Sequence, residues 1–138
     1  MNLNKYILLA ISLFMALSGY SQQKKHTNIK VDSLITNSGV HFFKGQTIQL
    51  GNGSGNNGSF ESMFTSGLNW NGFLDKEYNN VGATKILNNE SVKIIEIRRF
   101  EKKETVRYLI KIEYGFSKYW CDPEKGLESG EIIKPKTL

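Results

Sequence analysis

The stretch VKIIEIRRFEKKETVRYLIKIEY, residues 92–114, decides the fold. In its second half Val106, Tyr108, Ile110, Ile112 and Tyr114 share one parity, while Arg107, Lys111 and Glu113 share the other. A period of two is the signature of a strand with one face buried and one solvated. The spacing therefore predicts strands over Val92 to Phe100 and Thr105 to Tyr114, joined into a hairpin by the charged connection EKKE at 101–104. Ile94-Ile95 breaks the alternation of the first strand, and either a β-bulge or burial of both faces accounts for that.

Working outward, the flanks read as more short strands. Asn28 to Thr36 (NIKVDSLIT) reads as one strand with a break at Ser33, and Asn37-Ser38-Gly39 marks a turn. Gln46 to Leu50 alternates again, with Ile48 and Leu50 on one face. GNGSGNNGS, residues 51–59, holds Asn52-Gly53 and Asn57-Gly58, both strong signals for positive-φ turns, and Phe60 to Phe64 reads as the returning strand. From Gly51 to Asn89 the chain is so dense in Asn and Gly that no long helix is expected. The same section carries Leu68, Trp70, Phe73, Leu74, Tyr78, Ile86 and Leu87, so it is expected to fold back on the domain, with a short strand near Thr84 to Leu87. Tyr119-Trp120-Cys121 reads as a last strand, followed by one helical turn with Asp122 as N-cap, Pro123 as its first residue and an end near Gly130. Glu131-Ile132-Ile133 is placed back on the sheet.

The start of the chain, MNLNKYILLAISLFMALSGYSQQ, has Lys5, an apolar segment from Tyr6 to Leu17 and the small pair Gly19 and Ser21. This is the layout of a secretory signal peptide spanning 1–21, cleaved before Gln22, with 22–27 as a flexible mature start and 28–138 as one domain. The apolar segment is shorter than the roughly 20 residues a spanning helix needs, so no stable membrane insertion is expected after cleavage. The expected location is periplasmic or extracellular. The single Cys121 cannot form an intrachain disulfide and reads as a small buried hydrophobe. The chain of 138 residues carries a formal net charge of +5, with Lys24, Lys25, Lys30, Lys134 and Lys136 near its ends. That distribution describes solvated tails, not a basic stripe, and nucleic acid is not an expected partner.

Several chemistries fit the residues only superficially. Gly53-Ser54-Gly55-Asn56-Asn57-Gly58 matches G-x-G-x-x-G, but no helix of useful length and no second βαβ unit follow, so no dinucleotide cofactor is expected. The three sequons at Asn52, Asn57 and Asn89 follow from the turn composition. His26 and His41 are too few for a His-rich zinc site, and no metal is expected. A Cys121–His41 dyad and a Glu96–Glu113 carboxylate pair are conceivable, yet no local signature supports either, and no catalytic residue is assigned. The positive hint is aromatic: Trp70, Phe73, Tyr78, Tyr119 and Trp120, set among Asn, Gly and Lys, are the candidate ligand-binding residues, with packing in the core as the competing role.

Two segments, KGQTIQLGNGSGNNGSF (44–60) and KYWCDPEKGLESGEI (118–132), resemble a group of small exported bacterial proteins that look like Src-homology-3-like β-barrels. Gln46, Cys121 and Gly126 depart from that group's pattern. The resemblance implies fold and export and carries no activity or site residues. The sequence thus leads to an all-β, Src-homology-3-like barrel of five to seven strands with one short C-terminal helical turn. Its expected role is a secreted, non-catalytic binding module for a protein, peptide or glycan. A structural part of an envelope assembly is the alternative, and a small hydrolase a third.

Overall fold

The computed structural model describes residues 27–65, 82–83 and 85–136. The strands are β1 (Thr27–Val31), β2 (Ser33–Ile35), β3 (His41–Phe43), β4 (Thr47–Gln49), β5 (Phe60–Phe64), β6 (Gly82–Ala83), β7 (Ser91–Lys102), β8 (Thr105–Tyr114) and β9 (Ser117–Cys121), followed by the single α-helix of the described residues, α1 (Pro123–Ser129). The described residues are mostly β-strand with one short helix, consistent with the all-β class.

The β7–β8 hairpin is the spine. Its ladder runs from Lys93↔Glu113 to Lys102↔Thr105 and absorbs half of the EKKE connection, leaving Lys103-Glu104 as the turn. Ile94 faces Ile112 and Glu96 faces Lys111, so Ile95 is the extra residue of a bulge, as its broken parity suggested. The bulge divides the outer edge of β7 between two partners. β4 pairs with Ser91 to Lys93, and β1 pairs with Ile97 to Glu101.

The expected barrel is not formed. The seven-stranded sheet runs β1-β7-β8-β9-β5-β6 with β4 also on β7, and its two ends do not pair; β2 and β3 form a separate two-stranded sheet. One local reason is the break after Val31. Asn28 to Thr36 is two strands, not one, with Asp32 between them: β1 stays on β7 while β2 leaves to pair with β3, Leu34 facing Phe42. The segment around residues 84–87 also differs from expectation. The strand is Gly82–Ala83, and Lys85–Leu87 is a 3-10 turn.

The core lies on the face of the hairpin carrying Ile94, Ile97, Ile110 and Ile112, all fully buried, against Phe42, Ile48, Leu50, Phe60, Met63, Leu87 and Ile132. Residues of the opposite parity are buried too: Phe100, Leu109, and the cross-strand pair Phe64 and Trp120. α1 forms where foreseen. The Asp122 carboxylate accepts from the amides of Glu124 and Lys125, Pro123 opens the helix, and Gly130 closes it at φ 77°.

Candidate functional site

The glycine-rich loop after β4 is shaped by chain packing. Of its two Asn-Gly pairs only the second makes the expected turn, with Asn57 at φ 59° and Gly58 at φ 72°. Gly53 serves a different need: a Cβ there would lie 2.2 Å from the Gly58 carbonyl oxygen, so two backbone segments touch at a point only glycine permits. β5 follows the 3-10 turn Asn56–Gly58, so these glycines do not open a helix.

What the loop encloses is a carboxylate. Glu131 is fully buried. Its Oε1 accepts from the Ser54 amide at 3.0 Å, the Ser54 hydroxyl at 2.6 Å and the Glu61 amide at 2.6 Å. Its Oε2 accepts from the Ser62 amide at 2.8 Å and from the Ser62 hydroxyl. Burial alone would raise this carboxyl, but the hydrogen bonds from Ser54 and Ser62 together outweigh it and hold the group below the ordinary carboxylate range. The backbone completes the closure, with Gly51 donating to the Glu131 carbonyl at 2.9 Å and Ile133 donating to Gln49 at 2.9 Å. Nothing in the sequence marks Glu131 as the partner of Ser54; the two are brought together only by the return of the C-terminal segment.

Of the aromatic candidates, Trp70, Phe73 and Tyr78 lie outside the described residues. Tyr119 and Trp120 are described, and both are buried in β9, Tyr119 in the core and Trp120 on the other face, where Lys111 Nζ sits 4.9 Å from its ring centroid. The alternation of β9 sends the two rings to opposite sides of the sheet, so they do not share a surface.

The weighed catalytic pairs are not assembled. Cys121 is fully buried beside Ser62 Oγ at 3.8 Å, and burial pushes its thiol well above the ordinary range, whereas His41 is exposed on β3. Glu96 faces Lys111 and Glu113 faces Lys93, so each carboxylate has a cation across the ladder. Glu96 also binds Arg98 at 2.5 Å and Lys30 at 3.2 Å. Burial opposes that charge, but the bonds to Arg98 and Lys30 hold Glu96 below the ordinary range.

The open surface lies elsewhere. A cleft of about 680 Å³ runs between α1, the start of β8 and the end of β2, lined in part by Ile35, Val106, Arg107, Tyr108, Asp122 and Glu128. Its frame is fixed by the helix cap. Asp122 Oδ2 accepts from Arg107 Nη2 at 2.7 Å, and Glu124 Oε1 accepts from the Asn37 amide at 2.7 Å, tying the β2–β3 turn to α1. Ile35 at 66% and Val106 at 41% exposure form apolar points at its mouth. Beyond Ile35 the outward face of the β2–β3 hairpin continues the strip: His41 lies directly across from Ile35, and its ring centroid is 6.1 Å from that of Phe43, itself exposed. The alternation of three-residue strands places these side chains outward, and residues 41–43 carry no strand in the sequence analysis.

Among the described residues no group of His, Cys, Asp or Glu side chains is arranged to hold a metal ion, and no helix is long and apolar enough to cross a membrane. Compared with protein-family models, curated proteins and solved structures, the chain matches none.

Proposed function

We propose that the protein is an exported, non-catalytic binding module that contacts a protein or peptide partner through the cleft beside α1 and the outward face of the β2–β3 hairpin. The observation that carries this reading is the strip Phe43, His41, Ile35 and Val106, exposed apolar and aromatic side chains leading into a cleft with a rigid, hydrogen-bonded frame. Export rests on the signal-like layout of residues 1–21. Kinship with Src-homology-3-like proteins rests on the resemblance of segments 44–60 and 118–132 alone. A structural role in an envelope assembly is the second reading, favoured by β1, whose outer edge is unpaired among the described residues.

The test compares the mature chain, Ile35→Lys and Phe116→Lys as immobilised baits for envelope extract. Phe116 is a fully exposed side chain at the β8–β9 turn and serves as control. Partners retained by the wild type and by Phe116→Lys, but lost from an equally stable Ile35→Lys, support the cleft. Retention by Ile35→Lys overturns it.

A further inference from the structure

Asn-Gly sequences are chemically labile because the glycine amide can reach the asparagine side chain without interference from a Cβ. Two such pairs lie in the described loop, Asn52-Gly53 and Asn57-Gly58, and the fold treats them differently. The first is clamped. Asn52 Oδ1 accepts from Asn89 Nδ2 at 3.1 Å, the Gly53 amide donates to Asn88 Oδ1 at 3.1 Å, and the Asn89 amide donates to the Gly51 carbonyl at 3.0 Å. The second pair is open. Asn57 is exposed, its side chain makes no hydrogen bond among the described residues, and its φ of 59° is a conformation Asn tolerates at a cost. A Cβ on Gly58 would meet only Lys85 Cβ at 3.6 Å and Asn88 Nδ2 at 3.9 Å. The bonds that close this turn, Gly55 to Ser59 at 2.9 Å, Gly58 to Gly55 at 3.1 Å and Ser59 to Asn56 at 3.3 Å, with the Ser59 hydroxyl on the Asn56 carbonyl at 3.0 Å, all lie within five consecutive residues, so opening it is a local event.

We propose that Asn57 is a site of spontaneous covalent modification, deamidation through a succinimide, and that the fold shields Asn52. The Gly58 amide nitrogen, on losing its proton to solvent base, attacks Asn57 Cγ. The bond from Cγ to Nδ2 breaks, and the nitrogen leaves as ammonia with a proton from water. Water then opens the five-membered ring at either carbonyl, giving aspartate or isoaspartate. The new carboxylate lowers the net charge by one unit and, in the isoaspartyl form, lengthens the backbone at the turn.

The experiment incubates the folded mature protein in mildly alkaline buffer and follows Asn52 and Asn57 by peptide mapping, with a parallel sample held unfolded in urea. In the folded protein Asn57 converts several-fold faster than Asn52, giving both aspartyl forms, while in urea the two sites convert at similar rates. Gly58→Ala slows conversion at residue 57 in the unfolded sample as well, which separates the chemistry from any effect on folding. Equal rates at the two sites in the folded protein, or an intact Asn57 where the unfolded chain converts, overturns the proposal.

Discussion

Glu131→Gln is the most revealing single change, because it removes one charge and almost no volume from the point where the glycine-rich loop meets the C-terminal segment. The wild-type carboxylate receives five hydrogen bonds, three of them from the backbone amides of Ser54, Glu61 and Ser62. Glutamine offers a single oxygen. If that oxygen keeps the Ser54 and Glu61 side, the new amide group faces the Ser62 amide, and a buried donor is left without an acceptor. That costs about 1 to 3 kcal/mol, and the surviving bonds lose the charge that roughly doubles their strength, so a total of about 2 to 4 kcal/mol is expected. In a domain of this size the loss corresponds to a fall in melting temperature on the order of 10 °C. The pH dependence has a definite sign. The folded-state pKa lies below that of an ordinary glutamate, so the stabilisation is fully present above the ordinary value and is lost as pH falls through the folded pKa. Thermal melts of wild type and Glu131→Gln across an acid series should therefore converge at low pH and diverge above it. Equal melting temperatures near neutrality would refute the role given to this carboxylate.

Other expectations follow from neighbouring elements. Ile110→Asp places a charge among Ile97, Cys121 and the rest of the core, costs several kcal/mol and should leave the domain unfolded by circular dichroism. Lys111→Asp on the opposite parity costs only about 1 kcal/mol, because it removes the cation over Trp120 and sets a carboxylate across from Glu96. Cys121 should resist alkylation in the folded protein and react fully after denaturation, as mass spectrometry of iodoacetamide-treated samples can show. Lys103, at φ 57° in the hairpin turn, is the wrong residue for that conformation, and Lys103→Gly should raise stability by up to about 1 kcal/mol in urea titration.

The hairpin, the bulge and the helical turn were legible because each rests on local chemistry. Parity within residues 105–114 specifies a buried face, Ile94-Ile95 cannot satisfy that parity without an extra residue, and Asp122-Pro123 caps a helix whatever surrounds it. Closure of the sheet was not legible. It depends on where the chain turns away from β7, and a single residue, Asp32, makes that decision between two strands whose apolar residues look continuous. Asn52-Gly53 misled for a related reason: the glycine is required by the Gly58 carbonyl pressing against it, a contact that no turn propensity encodes. The surface around Ile35 was hidden by strand length. A three-residue strand offers too little alternation to say which side chain points outward.

Site-specific photo-crosslinking in the native cell tests the central claim most directly. A photoreactive side chain is placed at position 35, at position 106, or at exposed position 56 in the glycine-rich loop, each in an otherwise native chain. The account predicts adducts to one common partner from positions 35 and 106, and none from position 56. Adducts from the loop, with positions 35 and 106 silent, would contradict it.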